Sequence, residues 1–187
     1  MIEISCEQLE KVNTLLSDIK GAPQKVLYNA INRGLNKVKT VAAKDAASVY
    51  TVSTSTIKSA AHSKQKNATS GSMVGSITFS GHKLPLKKFK VSGTGGRGRG
   101  RKTVSAIVKK GSGGSLPHAF VRNLGNGVGV FERKTSKRES SETLMALSAA
   151  QMIGNDDVLM NIEHEASEVV EKRIEHEISR ILAGIGV

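Results

Sequence analysis

The sequence has no tryptophan, two tyrosines, four phenylalanines, three prolines and one cysteine among 187 residues. Each shortage excludes something. A lone Cys6 allows neither an intramolecular disulfide nor a cysteine cluster for zinc. So few aromatics leave a core without large anchors and a single-strand binder without its stacking platform. No stretch approaches the ~18 uncharged apolar residues of a membrane span, so no membrane partner is expected. The opening Met-Ile-Glu-Ile-Ser-Cys-Glu lacks the basic start and apolar run of a signal peptide, so synthesis in a cytosol is expected. The largest gap is in charge of one sign: from Ala46 to Phe131 there is no Asp or Glu.

That gap removes paired-carboxylate chemistry from the middle of the chain. The remaining catalytic patterns are missing too. No serine sits in Gly-x-Ser-x-Gly, and no P-loop occurs. Gly96-Arg97-Gly98-Arg99 does not extend into a Gly-x-Gly-x-x-Gly motif opening a helix. His164-Glu165-Ala166-Ser167-Glu168 lacks the second histidine of a zinc protease, so these are polar residues on an amphipathic helix. The chain is expected not to be an enzyme and to need no cofactor or metal.

What is present is positive charge with a map. The acid-free stretch carries 14 Lys and Arg within a chain of net charge +12, whereas Asp156 to Leu182 has eight acids against three bases. A basic middle repels itself unless it faces water, counterions or an acidic partner. Its densest part, Gly93 to Lys102, alternates Gly and Arg with no apolar residue. Such a segment can lay guanidinium groups along phosphates or carboxylates, or be a solvated hairpin tip. The candidate contacts to DNA or an acidic partner are Lys87, Lys88, Lys90, Arg97, Arg99, Arg101 and Lys102. The acidic face Glu163, Glu168, Glu171 and Glu175 is the candidate contact between subunits, docking head-to-tail on a neighbour's basic middle.

Periodicity predicts an α+β chain in one domain over 1–187, with 93–102 a flexible basic loop. Ile2 and Ile4 alternate as a short strand does, and Leu9 to Ile19 has helical spacing. Gly21 stops that element, and Pro23 falls in the first turn of a long helix over about 23–49. A short helix from Thr56 to His62 follows, capped by Ser53 or Thr54, then a loop over Lys64–Ser72. Alternation predicts strands of a small antiparallel sheet near 73–80, 103–110, 118–122 and 128–133. Pro85 marks a bend or an edge, Gly111–Ser115 a turn, and Thr135–Ser141 a loop or edge. Leu144–Ile153 reads as a short apolar helix. Asp156 or Asp157 caps an amphipathic helix over about 157–182, which Gly184 ends. Ile31, Val38, Phe120, Phe131, Ile162, Val169 and Ile174 are expected in the core.

Four segments in series resemble the phage minor tail protein Z family. They are Ala30-Ile-Asn-Arg-Gly-Leu35 with Ala42-Ala43; Leu84-Pro-Leu-Lys-Lys-Phe89; Ala119-Phe120-Val121 with Val130-Phe-Glu-Arg-Lys134; and Leu144 to Met152 leading into the acidic helix. Ser148-Ala-Ala150 stands where the family usually shows a Gly-Pro pair. The resemblance implies a non-catalytic virion protein, assembled in the host cytoplasm and placed at the head-proximal end of the tail. It further implies tail completion and head–tail joining by a homo-oligomeric ring, a hexamer, beside tail terminator or neck proteins and packaged DNA. A DNA-binding protein using the basic 58–110 region is the alternative, opposed by the missing aromatics and recognition helix.

Overall fold

The computed structural model describes residues 2–4, 9–16, 19, 21–95, 101–123, 127–134 and 140–184, with backbone alone at 3, 4 and 9–11. In chain order its elements are β1 (Ile2–Ile4), α1 (Leu9–Leu15), α2 (Ala22–Val49), α3 (Thr54–Ala60), β2 (His62–Lys66), β3 (Gly75–Ser80) and β4 (Lys83–Pro85). A single 3-10 turn (Leu86–Lys88) precedes β5 (Lys90–Ser92), β6 (Val104–Ile107), β7 (Gly113–Leu116), β8 (Ala119–Asn123) and β9 (Val128–Arg133). β10 (Ser141–Thr143), β11 (Met145–Ser148), α4 (Ala149–Ile153) and α5 (Asp156–Leu182) complete it. The class is α+β, with a long first helix, small antiparallel sheets and a long last helix, as periodicity predicts. The chain divides into two compact units: Met1–Ala42, His62–Phe79 and Gly154–Val187 form one, Ala43–Ala61 and Ser80–Ile153 the other.

In the first unit, Gly21 turns the chain with φ +77 and α2 starts at the next residue, so Pro23 sits where its missing N–H costs nothing. Val26, Leu27 and Ala30 of α2 pack with Val12 and Leu16 and with Val170, Ile174 and Ile181 of α5. β3 lies between β1 and β2, antiparallel to β1 with Ile2 opposite the fully buried Ile77. The Ala30–Leu35 segment is what seats β3. A Cβ at Gly75 would lie 2.6 Å from Leu35 Cδ1 and 3.0 Å from Ile31 Cγ2, so backbone presses directly on those side chains. One residue on, Asn32 pairs with the backbone of Ala68: its Nδ2 donates to Ala68 O at 3.0 Å and its Oδ1 accepts from Ala68 N at 2.8 Å.

The second unit has a smaller core. Leu86, Val104, Ala119 and Val130 are buried, ringed by half-buried Val91, Ala106, Val108, Leu116, Val121, Leu144 and Ala146. Three short sheets supply these residues, in strand orders β5-β6-β7, β10-β9-β8 and β11-β4. The end of α2 joins the first of them. Thr51 N donates to Val108 O at 3.0 Å, Lys110 N to Val49 O at 2.9 Å, and the Thr51 hydroxyl donates to Ile107 O while accepting from Lys90 N.

Several expectations fail for identifiable reasons. Lys64–Ser72 is not all loop, because β2 is an exposed, wholly polar strand, and lysines on such a strand discourage stray pairing. Gly113–Leu116 is strand β7 rather than turn, held by backbone pairing to β6. Leu144–Ile153 is not one helix. Ser148 N donates to Gln151 Oε1 and Gln151 N donates to Ser148 Oγ, a capping box that starts α4 at Ala149 and leaves Met145–Ser148 extended against β4. Asn155, not Asp156 or Asp157, is the N-cap of α5, and both aspartates lie in its first turn. α3 starts at Thr54 with Ser53 as N-cap, its hydroxyl accepting from Thr56 N. In the core, Val170 is buried and Val169 half-buried, and Phe120 is half-buried while Phe131 is buried. Most of Thr135–Ser141 lies outside the described residues.

Asn32→Ala deletes both side-chain partners of Ala68 and should lower the unfolding free energy by about 1–3 kcal/mol in urea titration. Asn32→Asp keeps the acceptor alone and should fall between the two.

Candidate functional site

Counted by unit, the net charge separates almost completely. The second unit holds seventeen Lys and Arg against four Asp and Glu, a net of +13; the first holds eleven against twelve, a net of −1. Twelve of the fourteen cations of the acid-free stretch fall in this second unit, with Arg133 and Lys134 beside them, while Lys64 and Lys66 fall in the first.

Its chain geometry holds the lysines outward. Lys87 and Lys88 are exposed on the 3-10 turn, between buried Leu86 and Phe89 that anchor it. Lys87 Nζ lies 3.8 Å from where a Cβ on Gly127 would stand, which sets it beside the β8–β9 connection. Lys90 is exposed on β5 opposite Ile107, while Val91 turns to the core, so strand alternation alone separates charge from interior. Arg101 and Lys102 are exposed. Arg97 and Arg99 lie outside the described residues, as do Gly96, Gly98 and Gly100 of the predicted flexible loop.

The flanks of that loop are well tied. Thr94 N and Gly95 N both donate to Lys102 O, at 3.2 and 2.9 Å, closing its root. Val121 N donates to Thr94 O at 2.9 Å, and Gly95 bridges Phe120, so the root continues the β10-β9-β8 sheet by a short extra segment. Gly95 is required there: its φ is +61 and a Cβ would lie 2.1 Å from Ala119 O.

This pairing sets an aromatic at the root of the Gly/Arg segment, which sequence separation hides. Phe120 stands directly opposite Phe131, their ring centroids 5.9 Å apart, and Arg133 lies over the Phe120 ring at 5.6 Å, within cation–π range. Phe131 folds across Gly129, where a Cβ would meet the ring at 2.6 Å. The opposite face of these strands, Ala119, Val121 and Val130, belongs to the core. The Phe120 face therefore carries the half-buried Phe120 ring and an arginine beside the buried Phe131. The signal for it in the sequence is the pair Phe120-x-Arg122 and Phe131-x-Arg133 at strand spacing.

The acidic candidates lie on α5. Glu163, Glu168, Glu171 and Glu175 are all exposed. The last three share a stripe with His164 by their spacing of four, three and four, and Glu163 lies one position around. Glu168 is engaged along the helix with Lys172 at 3.4 Å and His164 at 3.7 Å. Glu177 is different: 3% exposed in the apolar stripe, it is flanked by Arg173 and by Arg180 Nη2 at 3.5 Å. Lys37 of α2 pairs with Glu165 of α5 at 2.8 Å. Among the described residues no three His, Cys, Asp or Glu side chains gather as a metal site, and no helix is long and apolar enough to cross a membrane.

A family model described as prophage minor tail protein Z (GPZ) matches residues 7–184. No curated protein and no solved structure matches the chain.

Phe131→Ala should destabilise by about 3–5 kcal/mol, since it empties a buried site. Phe120→Ala should cost less, about 1–2 kcal/mol, because that ring is half-exposed and contributes chiefly its aromatic pairing. Equilibrium denaturation of the two variants gives the order.

Proposed function

The chain belongs to the prophage minor tail protein Z family, and from that premise we propose that it completes the phage tail as a structural ring at the head-proximal end. The separation of charge into one folded unit is the observation that carries this reading. A subunit with one strongly basic body and one near-neutral body has a natural polarity. In a ring the basic bodies face DNA or an acidic tail-terminator or neck protein, and the other bodies supply scaffolding. Tail joining on this reading needs no catalysis.

The contact surface on this reading is Lys87, Lys88, Lys90, Arg101 and Lys102 with the Arg97 and Arg99 segment between. Each charge in an exposed contact contributes only about 0–1 kcal/mol, so the surface acts as a set. The root of the loop, fastened through Lys102 O, lies beside Phe120. That neighbourhood also keeps the second reading in view, a protein that binds DNA on its own through the basic 58–110 region.

Replacing Lys87, Lys88, Arg97, Arg99 and Arg101 together by Gln should leave the melting curve unchanged, yet fail to complement a phage lacking this gene. Tails would form but not join filled heads. Normal phage yield from this variant sinks the role given to the basic unit. Normal tails and heads combined with loss of salt-dependent DNA binding by the purified protein favour the DNA-binding reading instead.

A further inference from the structure

The second unit is incompletely closed. An open groove of about 510 Å3 is lined by Leu86, Ala106, Val108, Leu116, Leu144 and Ala146, with Lys83 also on its wall. Apart from Leu86 these apolar side chains are the half-buried margin of that unit's core, so the groove is core surface left to water. Met145, on the same wall, is 47% exposed. Lys83 is exposed and has no acidic partner among the described residues. In a unit of net +13, the fitting occupant is an apolar side chain on an acidic support.

The helix α5 has that chemistry on its outer side. Its last residue, Leu182, is 62% exposed, an unusual position for a large aliphatic side chain. Glu175 and Glu171 precede it on the same stripe, about 10 and 16 Å back along the axis at 1.5 Å per residue. Both are exposed, and neither makes an ion pair among the described residues. The helix as a whole carries eight acids against three bases.

We infer that α5 of one copy docks on the groove of another copy, with Leu182 entering the groove and Glu171 and Glu175 crossing its basic margin at Lys83. The apolar anchor supplies desolvation, and the charges set direction and register. Helix and groove are different surfaces of one chain, so the contact is head-to-tail and repeats until it closes. The inference rests on the ring reading above and names its subunit contact.

Two substitutions test it in the full-length protein. Leu182→Asp puts a carboxylate where the groove needs an aliphatic side chain. Gly114→Phe fills the groove from its own wall, where a Cβ at Gly114 meets nothing within 4 Å, so the fold accepts it. Sedimentation velocity of the wild-type chain should show concentration-dependent species larger than dimers. Either variant alone should weaken self-association at least about tenfold with an unchanged melting curve, and a mixture of the two should form dimers and stop there. Only one junction, Leu182 of the Gly114→Phe copy in the groove of the Leu182→Asp copy, survives in that mixture. Glu175→Lys should likewise weaken assembly, and Lys83→Glu on the same chain should restore part of it. A wild-type chain that stays monomeric, variants that assemble normally, or a mixture that stays monomeric overturns the inference. So does assembly that appears only when duplex DNA is added. Phage yield plays no part in these readouts, so the subunit contact and the tail-completion role fail or stand separately.

Discussion

Crowding of like charge in the second unit is the constraint from which most of its structure follows. Seventeen cations and four anions share 93 residues. Two unit charges 10 Å apart in water repel by about 0.4 kcal/mol, so many such pairs add up unless every cation keeps its water. The strands are accordingly short, and their exposed sides carry Lys, Ser, Thr and Gly. The paired Ser92 and Ser105 hydroxyls, 2.7 Å apart on the outer side of β5 and β6, show the same choice without charge. Between the sheets lies a thin cluster of Leu, Val and Ala, and the buried Ile57, Phe89, Met152 and Ile153 lie outside it. An open apolar margin is the consequence: there are not enough large side chains to close it, because the surface demands so many residues.

The first unit works under the opposite condition. Near neutrality lets it use long helices whose charges balance locally, as with Lys37 and Glu165 between α2 and α5, or Glu168 with Lys172 along α5. Even the buried Glu177 is held between arginines of its own helix. Isolated pairs of this kind contribute little to stability. Their value here is that they leave an acidic row, Glu171 and Glu175, without an ion pair among the described residues.

The parts of the fold that could be read from residues are those where periodicity and burial coincide. The helices α2 and α5 and the strands β3, β6, β8 and β9 show their apolar repeat, and each was expected within a few residues. The strands β2 and β7 have no such repeat: His62-Ser-Lys-Gln-Lys66 and Gly113-Gly-Ser-Leu116 owe their conformation to the neighbour they pair with, which a linear pattern does not contain. Leu144–Ile153 misled because apolar residues were plentiful. The decisive signal was polar, Ser148 and Gln151 three apart, and it also gives a physical reason for Ser148-Ala-Ala150 at this point. The same division holds for the candidate site. Lysines that alternate with core residues, such as Lys90 beside Val91, were legible. The approach of Phe120 to the root of the Gly/Arg segment was not, since it arises from a bridge between residues 95 and 120.

These separate constraints meet in the question of how copies carrying +12 can gather at all. Long-range repulsion between such subunits favours dispersal, and at physiological salt it is screened beyond about 8 Å. A contact therefore needs attraction that acts inside that distance and does not depend on net charge. Burial of Leu182 in a groove that is otherwise wet is of that kind, about 1.5–3 kcal/mol for full burial of such a side chain. The acids of α5 then act only at close range, where a neighbour's Lys83 is the nearest unmatched cation on the groove wall. Repulsion from the rest of the basic unit remains and weakens the contact without abolishing it, because at this salt it is screened over the distance between neighbouring basic units. On the proposed ring reading, such a subunit would hold its neighbours by short-range, directional contacts and leave the rest of its basic unit to meet DNA or an acidic protein.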